Sequence, residues 1–368
     1  MVHVIAPGEF GGLERVVESL AESQRARGRT VSVIALTQQG MRTPPLLAIL
    51  RSVGIEVHEV TSGGRAYLSQ ARSIRALCAR IKPTIVHSHG YLPDALVSFT
   101  LGDRYSKVTT VHGFTGGSLR NRAYERLQLL SFRRFDAVAV VSNALRTRLM
   151  EAGLQDNRIT VIRNAWRSTG DLPNRKEARK LLGLSEPAGS PSETLVGWVG
   201  RVSWEKGLDV MVEALAQLRD LPCRLVILGD GPDLDRSRKL AQRLNVTEGI
   251  RHLGAIQGAG KLLRAFDLVA LTSRTEGTPM ILLEAMAAEV PIVATSVGGV
   301  PDVLTPGDAR LVPSEDPVAL AKMIRDILAD GVSAQTRAGN ARRRLANLFD
   351  TDSWIDAYDD LYARAGGH

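Results

Sequence analysis

The sequence predicts an α/β fold of two doubly wound units. Short apolar runs recur along the chain, helical stretches separate most of them, and at residues 165–193 the pattern stops and then starts again. Strands that alternate with helices pair in parallel, because each crossover returns the chain to the same end of the sheet. Two such units leave a cleft between them, with domains expected at 1–165 and 166–348 and a last segment at 349–368.

Val2 to Pro7 reads as a short buried strand, followed by a loop ending in Gly11-Gly12 and a helix from Leu13 to Arg27 that Gly28 stops. Such a turn lets a phosphate approach backbone N–H groups at a helix start, or merely keeps the loop tight; the residues alone allow both. Further strands are expected at Thr30 to Leu36, Ile55 to Val60, Thr84 to His89, Lys107 to His112, Ala137 to Ser142 and Ile159 to Ile162. The second unit supplies Leu195 to Gly200, Arg224 to Gly229, Ile250 to Leu253, Leu268 to Thr272, Pro291 to Thr295 and Arg310 to Val312. The end of the chain, Asp352 to Ala363, sets Trp354, Ile355, Tyr358, Leu361 and Tyr362 on one helical stripe.

With 368 residues, 44% hydrophobic and 23% charged, the chain is globular and can fill two cores. Cys78 and Cys223 lack metal-type spacing and read as free thiols in a reducing compartment. The opening residues do not resemble a signal peptide and no apolar run is long enough to span a membrane, so a cytoplasmic protein is expected. Residues 1–165 hold 22 Lys and Arg against 12 Asp and Glu, whereas the remainder holds 25 against 27. The basic excess is N-terminal. No nucleic-acid-binding motif accompanies it, which leaves an anionic membrane surface, on the inner face, or an acidic acceptor as its partner.

The most informative stretch, Ser273 to Ser296, is a polar loop, an apolar helix and an apolar strand. Glu276 falls on the loop and Glu284 inside the helix, so two carboxylates point toward one space from different heights. Gly277-Thr278-Pro279 offer backbone at the positive end of that helix. Ile281 to Leu283 and Ala285 to Ala288 leave the helix almost no polar face, so it is buried and Glu284 needs a partner or a ligand.

Arg201 and Lys206 stand on a loop between an apolar strand and an amphipathic helix, five residues apart, and can reach both phosphates of a diphosphate or simply form an exposed basic loop. Leu228-Gly229-Asp230-Gly231-Pro232 is half of a dinucleotide fingerprint whose third glycine is missing, and no phosphate loop of the triphosphatase kind is present. Asp233 and Asp235, like Asp350 and Asp352, read as helix N-terminal acids rather than metal ligands. His87 and His89 share a sheet face, and with His112 they make a zinc site conceivable, although no further ligand of suitable spacing completes it.

The stretch S-R-T-E-G-T-P-M-I-L-L-E-A-M-A resembles the signature of glycosyltransferase family 4, retaining nucleotide-sugar-dependent enzymes of GT-B architecture. F-G-G-L-E-R-V-V resembles that family's first loop, G-R-V-S-W-E-K-G its diphosphate clamp, G-D-G-P a turn beside the nucleotide, and T-T-V-H-G a segment whose histidine lies against the transferred sugar. The resemblance covers nearly the whole chain. It implies two Rossmann-like domains facing across a cleft and a last helix crossing back to the first domain. By the same resemblance, Arg201 and Lys206 hold the diphosphate, Glu284 the ribose, Glu276 with residues 277–279 the sugar, and His112 the reactive geometry. Gly11, Gly12, Ser142, Gly229 and Asp230 line the donor site, and His89 the acceptor side.

Two departures stand out. Glu289 replaces a glycine of the frame, and Arg163-Asn164-Ala165-Trp166-Arg167 replaces a P-N-G-V-D hinge, where Asn164 can still tolerate unusual backbone angles. The implied reaction moves a sugar from a nucleotide-diphosphate sugar to a saccharide, lipid-linked or small-molecule acceptor, with no metal or other cofactor. The alternatives are a phosphorylase of the same architecture and a non-catalytic nucleotide-sugar-binding protein. Within the basic half, Leu119, Ala123, Leu127 and Leu130 form an apolar stripe among Arg120, Arg122, Arg126, Arg133 and Arg134. That stripe faces either the core or an anionic membrane.

Overall fold

The computed structural model describes residues 1–8, 11–64, 66–114, 119–167, 170–184 and 193–366. Met1–Arg167 together with Thr351–His368 form one compact unit, and Ser168–Asp350 the other. Phe10 of the first-loop motif, and Ser118 with the side chains of Leu119 and Arg120, lie outside the described residues.

The first unit runs β1 (Val2–Ile5), α1 (Gly12–Ala26), β2 (Ser32–Gln38), α2 (Pro45–Ser52), β3 (Glu56–Ser62), α3 (Tyr67–Ile81), β4 (Ile85–His89) and α4 (Tyr91–Thr100). It continues through β5 (Ser106–Val111), α5 (Leu119–Phe132), β6 (Ala137–Val140), α6 (Asn143–Glu151) and β7 (Ile159–Val161). The strands pair in parallel in the order β3-β2-β1-β4-β5-β6-β7. Alternation along β1 sends Val2 and Val4 into a core with Ile34, Val86, Val97 and Phe132. Ile5 points the other way, to Val17, Ala21 and Val33.

The second unit runs α7 (Arg175–Leu181), β8 (Thr194–Val199), α8 (Leu208–Leu215), β9 (Cys223–Leu228), α9 (Leu234–Arg243), β10 (Ile250–Gly254) and β11 (Leu268–Leu271). It ends with α10 (Met280–Ala288), β12 (Ile292–Thr295), α11 (Val300–Val303), β13 (Arg310–Val312), α12 (Pro317–Ala329) and α13 (Gly331–Leu348). Its parallel sheet is ordered β10-β9-β8-β11-β12-β13. Every expected strand is present to within two residues at either end. The final helix, α14 (Thr351–Gly366), belongs to the first unit and packs on α1, β5 and β6. All five expected stripe residues, from Trp354 to Tyr362, are buried, and Arg29 pairs with Asp359 at 2.7 Å.

At α5 the core face is Gln128, Ser131 and Phe132, with Phe135 buried just beyond the helix, whereas Leu127 and Leu130 are 42% and 56% exposed. Ala123, Leu127 and Leu130 of the expected stripe therefore face outward, because a helix packs through whichever arc its neighbours meet, and here that arc is half polar. Glu289 ends α10 in the left-handed region, at φ 54° and ψ 40°. Asn164 is buried and, among the described residues, is not one of those with positive φ, so the 163–167 segment does not use the freedom that asparagine offers.

Candidate functional site

In the second sheet, chain order reverses between β8 and β11, and loops leaving the two carboxyl ends diverge there to open a crevice. The loop after β8 carries Arg201 and Lys206, and the loop after β11 carries Glu276. Arg274 ties the loops together. Its guanidinium reaches Asp209 at 2.9 and 3.0 Å and the Trp204 carbonyl at 2.6 Å, while its own N–H donates to the Glu205 carbonyl at 2.8 Å. Below it, Trp198 donates to the Thr272 hydroxyl at 3.0 Å.

This clamp brings Lys206 Nζ within 2.7 Å of Glu276 Oε1, and Ser273 Oγ donates to the same oxygen at 2.6 Å. The Glu276 side chain is 7% exposed and that of Lys206 29%. Two groups that the sequence assigns to different parts of a ligand are thus one ion pair. The Arg201 guanidinium is exposed and has no partner among the described residues.

The Gly229 turn meets the Arg201 loop backbone to backbone. Val202 N–H donates to the Asp230 carbonyl at 2.9 Å, and a Cβ on Gly229 would lie 1.8 Å from the Gly200 carbonyl oxygen. A side chain at Gly229 is therefore excluded by packing alone. The Asp230 side chain is exposed.

In α10 the residues around Glu284 are buried as expected, from Leu282 and Leu283 to Ala288. Gly277, Thr278 and Pro279 are buried just ahead of the helix, whose cap uses no side chain. The Glu284 carboxylate lies against Gly260, where a Cβ would sit 2.1 Å from its carboxyl carbon. In the sequence Gly260 figures only as part of a failed phosphate-loop match with Lys261, because its place against Glu284 depends on a contact between segments distant in sequence.

In the first unit, His112 follows β5, and its Nε2 lies 3.2 Å from His89 Nδ1. Burial holds His112 well below the usual histidine range, at about 4. Among the described residues, the three histidines at metal-binding spacing are His3, His87 and His89 rather than the set containing His112. Parallel register places His3 beside His87, and no periodicity in the sequence reveals that pairing. Gly11 caps α1 and Gly12 begins it, but the Glu14 carboxylate already accepts from Gly8 N–H at 2.8 Å, so this helix start holds an anion of its own. Ser142 is fully buried and caps α6, accepting from Leu145 N–H at 3.3 Å.

Comparison with known proteins matches residues 10–166 to the model of Glycosyltransferase Family 4 and residues 186–345 to that of Glycosyl transferases group 1. The chain is 25% identical to N-acetyl-alpha-D-glucosaminyl L-malate synthase of Bacillus anthracis, over 80% of this chain and 78% of that one. It is 28% identical to glycogen synthase of Mycobacterium tuberculosis, over 98% and 92%. Among solved structures, Anabaena HepE in complex with UDP-glucose superposes with a TM-score of 0.83 at 21% identity, covering 98% of this chain and 99% of that one. WaaG, a glycosyltransferase involved in lipopolysaccharide biosynthesis, gives 0.77 at 18%, covering 98% and 99%. The two family models divide the chain much as its two folded units do, and the chain belongs to glycosyltransferase family 4.

Proposed function

We propose that the protein transfers a sugar, with retention of anomeric configuration and without a metal, from a nucleotide-diphosphate sugar to a saccharide, lipid-linked or small-molecule acceptor. The observation that carries this reading is the Lys206–Glu276 ion pair at the β8/β11 switch point, with Lys206 on the same loop as Arg201, whose guanidinium has no partner among the described residues. A diphosphate approaching Arg201 competes for the Lys206 ammonium, which frees Glu276 to accept hydrogen bonds from sugar hydroxyls. Glu284, pressed on Gly260, binds the ribose hydroxyls. Transfer takes place on one face of the sugar: the departing phosphate oxygen takes the acceptor's proton, and the two cations stabilise the charge left on the diphosphate. The UDP-glucose bound to HepE lends the donor class by similarity.

A titration series tests this. Glu284→Gln weakens binding of free UDP or another matching nucleotide, whereas Glu276→Gln weakens only the intact donor. Lys206→Ala lowers turnover tenfold or more, as expected for a charge-assisted contact worth about 1.5–3 kcal/mol. Wild-type activity persists in chelator. Equal weakening of free nucleotide by both glutamate variants, or loss of activity in chelator, overturns the assignment.

The outward arc of α5 favours a membrane-bound setting for the acceptor. Leu127 and Leu130, together with Phe99 of the adjacent α4, are exposed among the exposed Arg122, Arg126, Arg133 and Arg134. This surface is suited to an anionic bilayer, with apolar side chains entering the interface and arginines meeting headgroups.

A further inference from the structure

Eight side chains on and over β1, β4 and β5 form one buried hydrogen-bonded chain that ends at His112 on one limb and, through the 3.0 Å contact of Thr110 Oγ1 with the Tyr358 hydroxyl, at Tyr358 on the other. His3 Nε2 lies 2.7 Å from Gln24 Oε1, His3 Nδ1 lies 3.0 Å from His89 Nε2, and His89 Nδ1 lies 3.2 Å from His112 Nε2. On the other limb, Gln24 Nε2 donates to the Tyr362 hydroxyl at 2.9 Å, which lies 2.8 Å from His87 Nδ1, and His87 Nε2 lies 2.8 Å from Thr110 Oγ1. Each ring nitrogen of His3, His87 and His89 is thus engaged by a protein group. The His112 Nδ1 is different: it is buried and has no partner among the described residues.

A neutral imidazole donates from one nitrogen and accepts at the other. Burial keeps His3, His87 and His89 neutral by lowering their basicity, and each histidine's positive form would also repel its neighbours'. The His3–His89–His112 limb therefore has a direction, and Gln24 sets it. Its carbonyl oxygen accepts from His3 Nε2–H, so His3 Nδ1 accepts from His89 Nε2–H, and His89 Nδ1 accepts from His112 Nε2–H. His112 is left with a bare lone pair on Nδ1. A Gln24 amide turned the other way would reverse every bond of the limb and put a proton on that nitrogen.

We infer that Gln24 is a positioning residue that fixes the tautomer of His112, leaving Nδ1 as an acceptor for a hydroxyl of the transferred sugar. Only the identity of that ligand rests on the transferase reading. Because both ring nitrogens of His3, His87 and His89 are already bonded within the protein, these three serve this chain rather than a metal.

The test is imidazole nitrogen NMR of the full-length protein labelled with ¹⁵N-histidine at neutral pH. The expected wild-type pattern is Nε2–H for His3, His89 and His112. In Gln24→Leu, His112 becomes a mixture with a populated Nδ1–H form, and kcat with UDP-glucose or another accepted donor falls about tenfold, the loss of about one hydrogen bond, while UDP binding is unchanged. Tyr362→Phe, which keeps the ring and frees the Gln24 amide nitrogen, gives a smaller change of the same kind and serves if the leucine variant does not fold. An Nδ1–H His112 in the wild type, an unaltered tautomer in both variants, or stoichiometric metal bound to the histidines overturns the proposal. If no nucleotide sugar is turned over, the transferase reading fails while the tautomer measurement still decides this one.

Discussion

Glu289 holds a backbone conformation that suits glycine, and its side chain is exposed. A left-handed residue with a Cβ costs roughly 1–2 kcal/mol, and glycine gives back part of that through its freer unfolded chain. Glu289→Gly is therefore expected to stabilise the second unit by about 0.5–1 kcal/mol, read as a higher denaturation midpoint; a lower midpoint would contradict the strain. The departure was legible in the sequence as a missing glycine. What was not legible is that the chain keeps the left-handed turn anyway, because α10 must still reach β12. Glu276 is a parallel case. Its place on the loop ahead of α10 could be read from the sequence, but its ion pair with Lys206 joins residues seventy positions apart and exists only once β8 and β11 are neighbours.

Helices whose burial can be read from composition were predicted well, and α5 shows where that reading fails. α10 is apolar all round and α14 carries one wide aromatic stripe, so each has a single way to pack. The α5 sequence offers two arcs of similar character, and contact with α4 selects the one containing Gln128, which donates to the buried Asp94 at 2.7 Å. The arc left outside is expected to bind anionic vesicles in low salt, at about 1 kcal/mol for each arginine near the surface, and to release them at high salt. Leu127→Ser with Leu130→Ser should reduce the bound fraction in a sedimentation assay. Equal sedimentation with neutral and anionic vesicles at low salt would remove the membrane from the account.

At the scale of the whole molecule, the buried histidine chain makes stability depend on pH. The folded-state pKa of His3 is about 4, and those of His87 and His89 also lie well below 6.5, all mainly through burial, with the N-terminal ammonium and neighbouring histidines adding to it. A depressed histidine contributes stability that is complete above 6.5 and is lost as pH falls toward 4. Asp94, raised to about 6 by burial, acts in the opposite sense: it favours the fold as pH falls from above 6. His112, held at about 4 by burial, adds to the same effect, so four buried histidines disfavour the fold as pH falls below 6.5 and Asp94 opposes them. Acid is therefore expected to win, and denaturant midpoints should be lower at pH 5 than at pH 7.5. An equal or higher midpoint at pH 5 would show that the histidines are not held neutral.

The sequence by itself determined the two α/β units, the strands expected in each and the buried aromatic stripe of α14. These features depend on local periodicity or on fixed spacing, and both are visible along a single chain. Tertiary structure alone decided that Lys206 meets Glu276, that Gly260 supports Glu284, that His3 joins His87 and His89, and that Leu127 and Leu130 of α5 face outward. Each of those depends on strand order in a parallel sheet or on which neighbour a helix finds, and crossover connections bring together residues whose separation along the chain carries no trace of it.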